Sequence, residues 1–289
     1  MSDSSMAVLK ALRERTGAGI VACRNALTEA RSDAERAADL LRAQESRVAQ
    51  AKVQRIATQG MVGTRVAASR AVMLEVNCES DFVARSAPFV SGVSECLAIA
   101  LDDGSEEEAL VHHPRIVAVL TSVSARTGER IVLRRARIVR FAPDHVVAAY
   151  VHGGDGRDVG RIGVVVEAAF PRSSESETLA HGVAMHIAAS APLWVTASDI
   201  PGAVLDARRA EFAAEAARAG KPAAIVERIV EGRVDKYIAQ STLMGQPYAL
   251  NPDERVGDVL RDAGQGWRCT LAVRQYVRFQ VGETEPAEV

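Results

Sequence analysis

Apolar residues recur at helical spacing through the first fifty residues of the chain. In the first two segments, which the glycines of RTGAG separate, the apolar positions are Leu9, Leu12, Ile20, Cys23 and Leu27. A third segment opens with Ser32 and Glu35 at the spacing of a capping box, and a stripe of alanine and leucine follows. The pattern predicts a compact three-helix bundle, continued by a polar connecting helix over ESRVAQAKVQRIATQG.

Between residues 62 and 192 the pattern changes to β-branched runs. RAVMLEVNC, ERIVLRRARIVRF, HVVAAYVHGG and RIGVVVEAAF are separated by turn residues, and the first alternates through Val72, Leu74, Val76 and Cys78. Two helical patterns flank them, one beginning near Phe89 and one over SETLAHGVAMHIAAS. Strands that cluster rather than alternate strictly with helices indicate an α+β fold with antiparallel sheets in two lobes.

Long helices are predicted from residue 204 to 240. One ends at Gly220 and the next starts at Pro222, which together predict an antiparallel helical hairpin. Its apolar stripe either closes the hairpin or meets another chain, and consists of Leu205, Phe212, Ile225, Ile229 and Tyr237. A final helix is predicted to begin at Asn251 and Pro252, and QYVRFQVGE is predicted to form the last strand.

These patterns divide the chain into five parts. They are a helical bundle over 1–55, a first core lobe over 56–142, a second over 143–200, a helical hairpin over 201–240, and a return to the core with a short C-terminal module over 241–289.

Charge and cysteine content narrow the class of protein. The 289 residues carry a formal net charge of -2, which argues against a broad phosphate-binding face for nucleic acid. The four cysteines are far apart and form no Cys-x-x-Cys, so reduced, mostly buried thiols are expected. Neither a signal peptide nor a membrane-spanning apolar run is recognisable, which indicates a cytoplasmic protein.

Motifs for catalysis, cofactors or metals are weak. The glycines of GGDGRDVG miss the dinucleotide pattern, and in AGKP, Pro222 replaces the Ser or Thr of a phosphate loop. His181 and His186 lack the Glu of a zinc helix, and His112 and His113 stand alone. An enzyme is therefore disfavoured, and neither a cofactor nor a metal site is expected.

Two apolar sites can be interpreted either as core residues or as contacts for a partner. Phe82 stands beside Asp81 in CESDFVAR, where a strand passes into a helix. A core position is the commoner fate of a phenylalanine, and an exposed one is a contact for a partner. Ile20 and Val21 are equally compatible with core packing and with a partner-facing patch.

Several stretches together resemble one family, the bacterial elongation factor Ts. LRERTGAGIVACRNALTEA, LEVNCESDFVAR, VHGG, GRIGVVVEA, MHIAASAP, EGRVDKY, GQPY and VRFQVGE occur in the family's order and cover nearly the whole chain. The fold that this resemblance implies is a ubiquitin-associated-like helical bundle, a two-lobed α+β core, an inserted helical hairpin and a short C-terminal module.

The resemblance implies a guanine-nucleotide exchange factor that acts in protein biosynthesis on elongation factor Tu, in its GDP-bound and nucleotide-free forms. It places Asp81 and Phe82, with Ser80 and Val83, against the magnesium site of the partner, so that the ion and the phosphate loop are displaced. Further contacts are implied at Ile20, Val21, Gly128, His152 and Gly153. No direct contact with nucleic acid or membrane is implied, and the hairpin is a possible homodimer contact.

The chain departs from the family pattern at a few positions. Ser80 stands for threonine, Arg85 for lysine, Thr127 for an apolar residue and Gln240 for a glutamate. Two other hypotheses therefore stay open beside exchange, namely a scaffold that binds elongation factor Tu or another protein without releasing nucleotide, and a divergent paralogue with a specialised partner.

Overall fold

The computed structural model describes residues 3–51, 55–102, 104, 106–154, 158–219 and 222–283. Its helices are α1 (Asp3–Thr16), α2 (Ile20–Glu29), α3 (Ala34–Ala51), α4 (Asp81–Ala84), α5 (Ala87–Asp102), α6 (Glu107–Leu110), α7 (Pro114–Thr127), α8 (Ser174–Ser190), α9 (Gly202–Arg218), α10 (Ala223–Ser241) and α11 (Val256–Trp267). Its strands are β1 (Gln59–Val66), β2 (Arg70–Cys78), β3 (Val132–Arg140), β4 (Val146–His152), β5 (Val159–Gly160), β6 (Ile162–Ala169), β7 (Pro247–Tyr248), β8 (Asn251–Arg255) and β9 (Ala272–Gln280). The predicted α+β class is confirmed.

The chain forms two compact units. The first comprises residues 1–138, 151–163 and 279–289, and the second comprises 139–150 and 164–278. The strand orders are β3-β2-β1-β5, β4-β6-β9 and β7-β8. The five-part division predicted from the sequence is finer than these two units and stays a prediction.

The first three helices form the predicted bundle. Its core is apolar and uses small residues for close helix packing, and it consists of Leu9, Leu12, Cys23, Ala26, Ala30, Ala37, Ala38 and Leu41. Helix α3 continues to Ala51, residues 52–54 lie outside the described part of the chain, and 55–58 are not helical. The predicted connecting helix is therefore only an extension of α3.

The predicted capping role of Ser32 is wrong. Ser32 has a left-handed backbone with φ 65°, and its N–H donates to the carbonyl of Leu27 at 2.7 Å. It therefore belongs to the turn that ends α2. Asp33 caps α3 instead, because its Oδ1 accepts the N–H of Arg36 at 3.0 Å.

The core of the first unit lies between the β1–β2 hairpin and helices α5 and α7. Strand β2 is buried on both faces, including the positions between the predicted apolar ones. Strands β1 and β2 pair antiparallel from Gln59 with Cys78 to Val66 with Ala71. This register places the end of β2, and the helix α4 that follows it, beside the start of β1.

Strand β1 and helix α7 were not predicted from the sequence. Strand β1 contains Gly60 and Gly63, which lower its strand propensity. A Cβ on Gly63 would stand 2.6 Å from Cδ1 of Leu97, so any larger residue here would force the Leu97 side chain of α5 to shift. Helix α7 begins at Pro114, whose fixed φ suits a first turn, and buries Ile116 and Leu120.

In the second unit, helix α8 opens with a capping box in which Ser173 and Ser176 exchange hydrogen bonds. The predicted start of the last helix at Asn251 and Pro252 is wrong. Residues 251–255 form β8, which pairs antiparallel with β7, and the helix begins at Val256. A proline is compatible with the first turn of a helix, but Pro252 lies in a short exposed strand.

The helical hairpin is confirmed as α9 and α10, whereas the predicted C-cap Gly220 lies outside the described residues. Among its described side chains, those of Ala216 and Val234 are buried. In the predicted apolar stripe only Ile225 is exposed, at 49%, and the others are half-buried. The stripe therefore mainly closes the hairpin.

His186 joins α8 to the segment before β7. Its Nδ1 accepts the N–H of Ala249 at 3.1 Å, and its Nε2 lies 3.0 Å from Oε1 of Gln246, so the neutral ring with hydrogen on Nε2 satisfies both partners. Burial lowers the pKa of His186, against the opposing effect of the bond to Gln246. The side chain is fully buried. These contacts indicate a structural histidine rather than a metal ligand.

We expect the free energy of unfolding to fall as the pH is lowered below the ordinary histidine pKa of 6.5. The unfolded chain then binds a proton that folded His186 does not, so stability rises with pH across this window. This group contributes at most about 1.36 kcal/mol per pH unit. Urea unfolding at about pH 7.5 and about pH 5.5 measures the change. The variant His186→Gln should lose this part of the slope, and an equal slope in both proteins would contradict the assignment.

Candidate partner-binding surface

Helix α4 presents Phe82 to solvent. The helix follows β2 directly and has Ser80 as its N-cap, whose Oγ accepts the N–H of Val83 at 3.3 Å. Ala84 is buried and Val83 packs against the core, whereas the Phe82 side chain is 84% exposed. This exposure contradicts the interpretation of Phe82 as a core residue and leaves the ring available to a partner.

Every polar atom of Ser80 is held. Its N–H and that of Glu79 donate to Oε2 of Glu129 at 3.0 and 2.9 Å, and its Oγ donates to Oε1 at 2.5 Å. Burial, with the negative charge of Glu129, raises the pKa of the Cys78 thiol to about 12. The thiol therefore stays protonated, and it donates to the carbonyl of Ser80 at 3.1 Å.

The carboxylate of Glu79, just before α4, in turn accepts a hydrogen bond from the segment that follows α7. Oε1 of Glu79 accepts the N–H of Arg130 at 2.7 Å and lies 3.3 Å from Nη1 of Arg55. Nη1 of Arg130 donates to the carbonyl of Arg55 at 2.7 Å. The segment before α4 and the segment after α7 are thus tied together from both sides. We call residues Glu79, Ser80, Glu129 and Arg130 the carboxylate clasp.

Gly128 sets the direction of the chain into the clasp. It ends α7 in a left-handed conformation with φ 77°, and its N–H donates to the carbonyl of Ser124 at 3.0 Å. The hydroxyl of Ser124 donates to the carbonyl of Glu129 at 2.6 Å. A glycine is favoured here because side chains rarely adopt this conformation. Gly128 is exposed and lies within the first unit, next to the support of α4.

The first unit brings Asp81 and Gly153 to one cavity. It has a volume of about 300 Å³, and Arg85 and Arg161 also line it. Gly153 has φ 74° in the turn after β4, and His152 beside it is exposed. The N–H of Arg161 donates to the carbonyl of His152 at 2.8 Å. Two predicted contacts that are far apart in sequence therefore share a surface, although residues 155–157 of the loop lie outside the described part.

Ile20 and Val21 begin α2, immediately after Gly19, and are 52% and 57% exposed. The interpretation of these residues as core packing is therefore wrong. Cys23 and Ala26 bury the opposite side of the same helix. The exposed pair forms a separate apolar patch on the bundle and does not line the cavity beside Asp81.

The departures from the family pattern fit their local structure. Ser80 retains the hydroxyl that caps α4, and Arg85 forms an exposed ion pair with Asp81 at 3.4 Å. The hydroxyl of Thr127 donates to the carbonyl of Val123 at 2.9 Å. The carbonyl of Gln240 accepts from Nε2 of Gln246 at 2.7 Å.

A cluster of titratable side chains away from α4 lies in the second unit. Burial opposes ionisation of Glu167, but hydrogen bonds from Gln275, His145 and the N–H of Ala142 outweigh it and lower the pKa of the carboxyl. Because each partner is engaged, the cluster is a structural network. Among the described residues no group of three or more His, Cys, Asp or Glu could hold a metal ion. In the same part of the chain, no helix is both long and apolar enough to cross a membrane.

The sequence patterns missed the clasp. Glu129 lies 49 residues from Ser80, so no helical or strand period connects them. The only local signal was the glycine before Glu129, which marks the end of a helix but not the partner of the side chain that follows.

Comparison with known proteins covers nearly the whole chain. A family model described as Elongation factor TS matches residues 79–283. A protein named Elongation factor Ts from Zymomonas mobilis subsp. mobilis is 38% identical over 289 residues, covering 98% of this chain and 94% of that protein. Another of that name from Thioalkalivibrio sulfidiphilus is 39% identical over 293 residues, covering 96% and 91%. These two alignments extend the similarity into the helical bundle.

Proposed function

Since this chain belongs to the elongation factor Ts family, and so has a role in translation elongation, we propose that it binds elongation factor Tu·GDP and promotes release of the GDP. In this proposal Phe82, supported by Asp81, Ser80 and Val83, enters the nucleotide-binding domain of the partner near its magnesium site. The ion and the phosphate loop are displaced, and the nucleotide leaves. The chain carries out no chemical reaction of its own and acts in the cytoplasm.

The presentation of Phe82 is the observation that carries the proposal. Phe82 is 84% exposed, whereas Ser80 caps the helix, Val83 packs against the core and Ala84 is buried. Burying a phenylalanine side chain stabilises a complex by about 1.5 to 3 kcal/mol. A tenfold change in affinity requires only about 1.4 kcal/mol. The burial of one ring is thus large enough to change the affinity for GDP substantially.

Exchange requires more than tight binding. The ring promotes release only if the chain binds the nucleotide-free partner better than the GDP-bound one, because a ligand shifts an equilibrium only by its differential affinity. By the same thermodynamic linkage, bound GDP must lower the affinity between the two proteins by the same factor as this chain lowers the affinity of elongation factor Tu for GDP.

The remaining predicted contacts serve docking in this proposal. Ile20 and Val21 supply an apolar patch on the bundle, and Gly128, His152 and Gly153 lie in the first unit with α4. Contacts that are equal in the ground state and in the transition state for release strengthen binding without changing the rate in the complex.

We expect the double substitution Ile20→Ala with Val21→Ala to raise the concentration of this protein that gives half-maximal acceleration, by about tenfold. The two side chains lose apolar burial in the complex, at about 25 cal/mol per Å². The maximal rate should stay within about twofold. Titration of the exchange rate measures both quantities, and Met6→Ala, an exposed apolar side chain elsewhere in the bundle, is the matched control. A lowered maximal rate with an unchanged half-point would contradict a docking role.

The nucleotide content of the purified complex tests the proposal. The chain is mixed with elongation factor Tu·GDP from the same organism, the complex is isolated by gel filtration, and the bound nucleotide is quantified after denaturation. We expect a nucleotide-free complex that excess GDP dissociates. A stable complex that retains GDP would instead support a scaffold without exchange activity.

We also propose that the hairpin is the surface through which two copies of the chain associate. Its groove has a volume of about 1020 Å³ and is lined by small apolar side chains beside Arg209, Glu227, Glu231 and Asp235. The apolar floor of alanine and valine side chains allows close helix packing and suits a second hairpin of the same kind. Sedimentation at increasing concentration tests this, with Val230→Glu as the disrupting variant. A monomer at every concentration would refute it.

A further inference from the structure

We propose that Glu129 is a positioning residue for Phe82, which orients the ring through the carboxylate clasp without contacting the partner. This inference rests on the proposed exchange function. Part of the effect of Phe82 is thereby assigned to Glu129, which lies 47 positions further along the chain.

Glu129 uses both carboxylate oxygens on the two residues that precede α4. Oε2 accepts the N–H groups of Glu79 and Ser80, and Oε1 accepts the hydroxyl of Ser80. An ionised carboxylate only accepts hydrogen bonds, and bonds to a charged acceptor are the stronger kind. One side chain therefore fixes the position of the backbone and of the capping hydroxyl.

Helix α4 depends on this support because of its length. It spans only Asp81–Ala84, and a single helical turn is unstable in isolation. Its cap is the bond from the Val83 N–H to Oγ of Ser80, and the same Oγ donates to Glu129. If Glu129 is removed, the N–H groups of Glu79 and Ser80 lose their acceptor and the capping hydroxyl can rotate.

Phe82 has little packing of its own to replace this support, because its ring is 84% exposed. Its direction is therefore set by the backbone of α4. A ring held in the binding direction loses less conformational freedom when it enters the partner than a ring that samples many directions. The expected consequence of losing the clasp is slower release in the complex rather than weaker docking.

The test compares Glu129→Ala with Glu129→Gln in GDP release from elongation factor Tu. A glutamine at this position retains an oxygen for the two N–H groups, and its NH₂ can donate to Oγ of Ser80. We expect Glu129→Ala to lower the maximal release rate about tenfold with the half-saturating concentration unchanged. Glu129→Gln should stay within about threefold of the wild type.

A double variant separates positioning from general damage. If Glu129 acts through the ring, Glu129→Ala should have no further effect in a Phe82→Ala background. The control Glu107→Ala removes another partly exposed carboxylate, which accepts the N–H of Ile138 at 3.1 Å in the same unit. It should leave the release rate unchanged. An equal slowing by Glu129→Ala with and without Phe82 would overturn the inference.

Amide hydrogen exchange of the free protein tests positioning without the partner. The segment around Ser80 and Val83 should exchange faster in Glu129→Ala than in the wild type or in Glu107→Ala. Unchanged protection would overturn the inference even if GDP release slows. If the wild-type chain does not accelerate GDP release, the proposed function fails. The amide hydrogen exchange of the free protein still decides whether Glu129 holds α4.

Discussion

Phe82→Ala is expected to slow the release of GDP from elongation factor Tu by about tenfold or more at saturating protein, with little loss of binding to the GDP-bound partner. The ring is the most exposed of the large apolar side chains described, so its removal leaves the fold unchanged. The lost burial of about 1.5 to 3 kcal/mol is confined to the state in which the ring has entered the partner. Stopped-flow fluorescence with labelled GDP measures the rate, and calorimetry measures docking.

Leu193→Ala is the matched control for this result. Leu193 is 61% exposed and is not among the predicted contacts, so its truncation removes a similar apolar surface without touching α4. Wild-type release with Leu193→Ala, and slow release with Phe82→Ala, would assign the effect to the ring. Equal rates in Phe82→Ala and the wild type would show that Phe82 is not the residue that displaces the nucleotide.

Glu75→Ala is expected to produce the largest loss of stability, about 3 to 5 kcal/mol. Glu75 is fully buried in β2, and its carboxylate meets Nη1 of Arg134 at 2.8 Å and Nε of Arg135 at 2.7 Å. It also accepts the N–H of Gly282 at 3.1 Å. Removal leaves the buried Arg135 and this N–H without the carboxylate. Urea unfolding followed by circular dichroism measures the change in free energy.

The control for Glu75 is an ion pair of similar geometry on the surface. Oε2 of Glu215 lies 2.6 Å from Nη1 of Arg233, and both side chains are more than 40% exposed, at 43% and 45%. Because solvent screens such pairs, Glu215→Ala should cost at most about 1 kcal/mol. If both variants lose the same stability, burial of Glu75 is not what makes its ion pairs important.

The sequence patterns located the elements that carry a strong period. The bundle, α5, α8 and the hairpin all show apolar residues at helical spacing, and β2, β3, β4 and β6 are dense in β-branched residues. The same local signals were insufficient where tertiary contacts override them. Gly63 lowers the strand propensity of β1, yet its lack of a side chain makes room for Leu97. Asn251 and Pro252 are compatible with a first helical turn, yet pairing with β7 makes this segment a strand.

Only part of the candidate partner-binding surface could be predicted from the sequence. The motif around Asp81 and Phe82 drew attention to α4, and the exposure of Phe82 in the structure agrees with the partner-facing interpretation. The link to Glu129 and the cavity shared by Asp81 and Gly153 could not be derived, because both join segments that are distant along the chain. Such contacts depend on the three-dimensional arrangement of α4, α7 and the turn after β4.

The most direct test of exchange is GDP release with the wild-type chain in substoichiometric amount. Elongation factor Tu loaded with fluorescent GDP is mixed with excess unlabelled GDP at fixed magnesium, with and without the chain. The proposed function predicts many-fold faster release, and one molecule of the chain should discharge many molecules of the partner. An unchanged release rate, although a complex forms, would contradict exchange and leave a scaffold as the function.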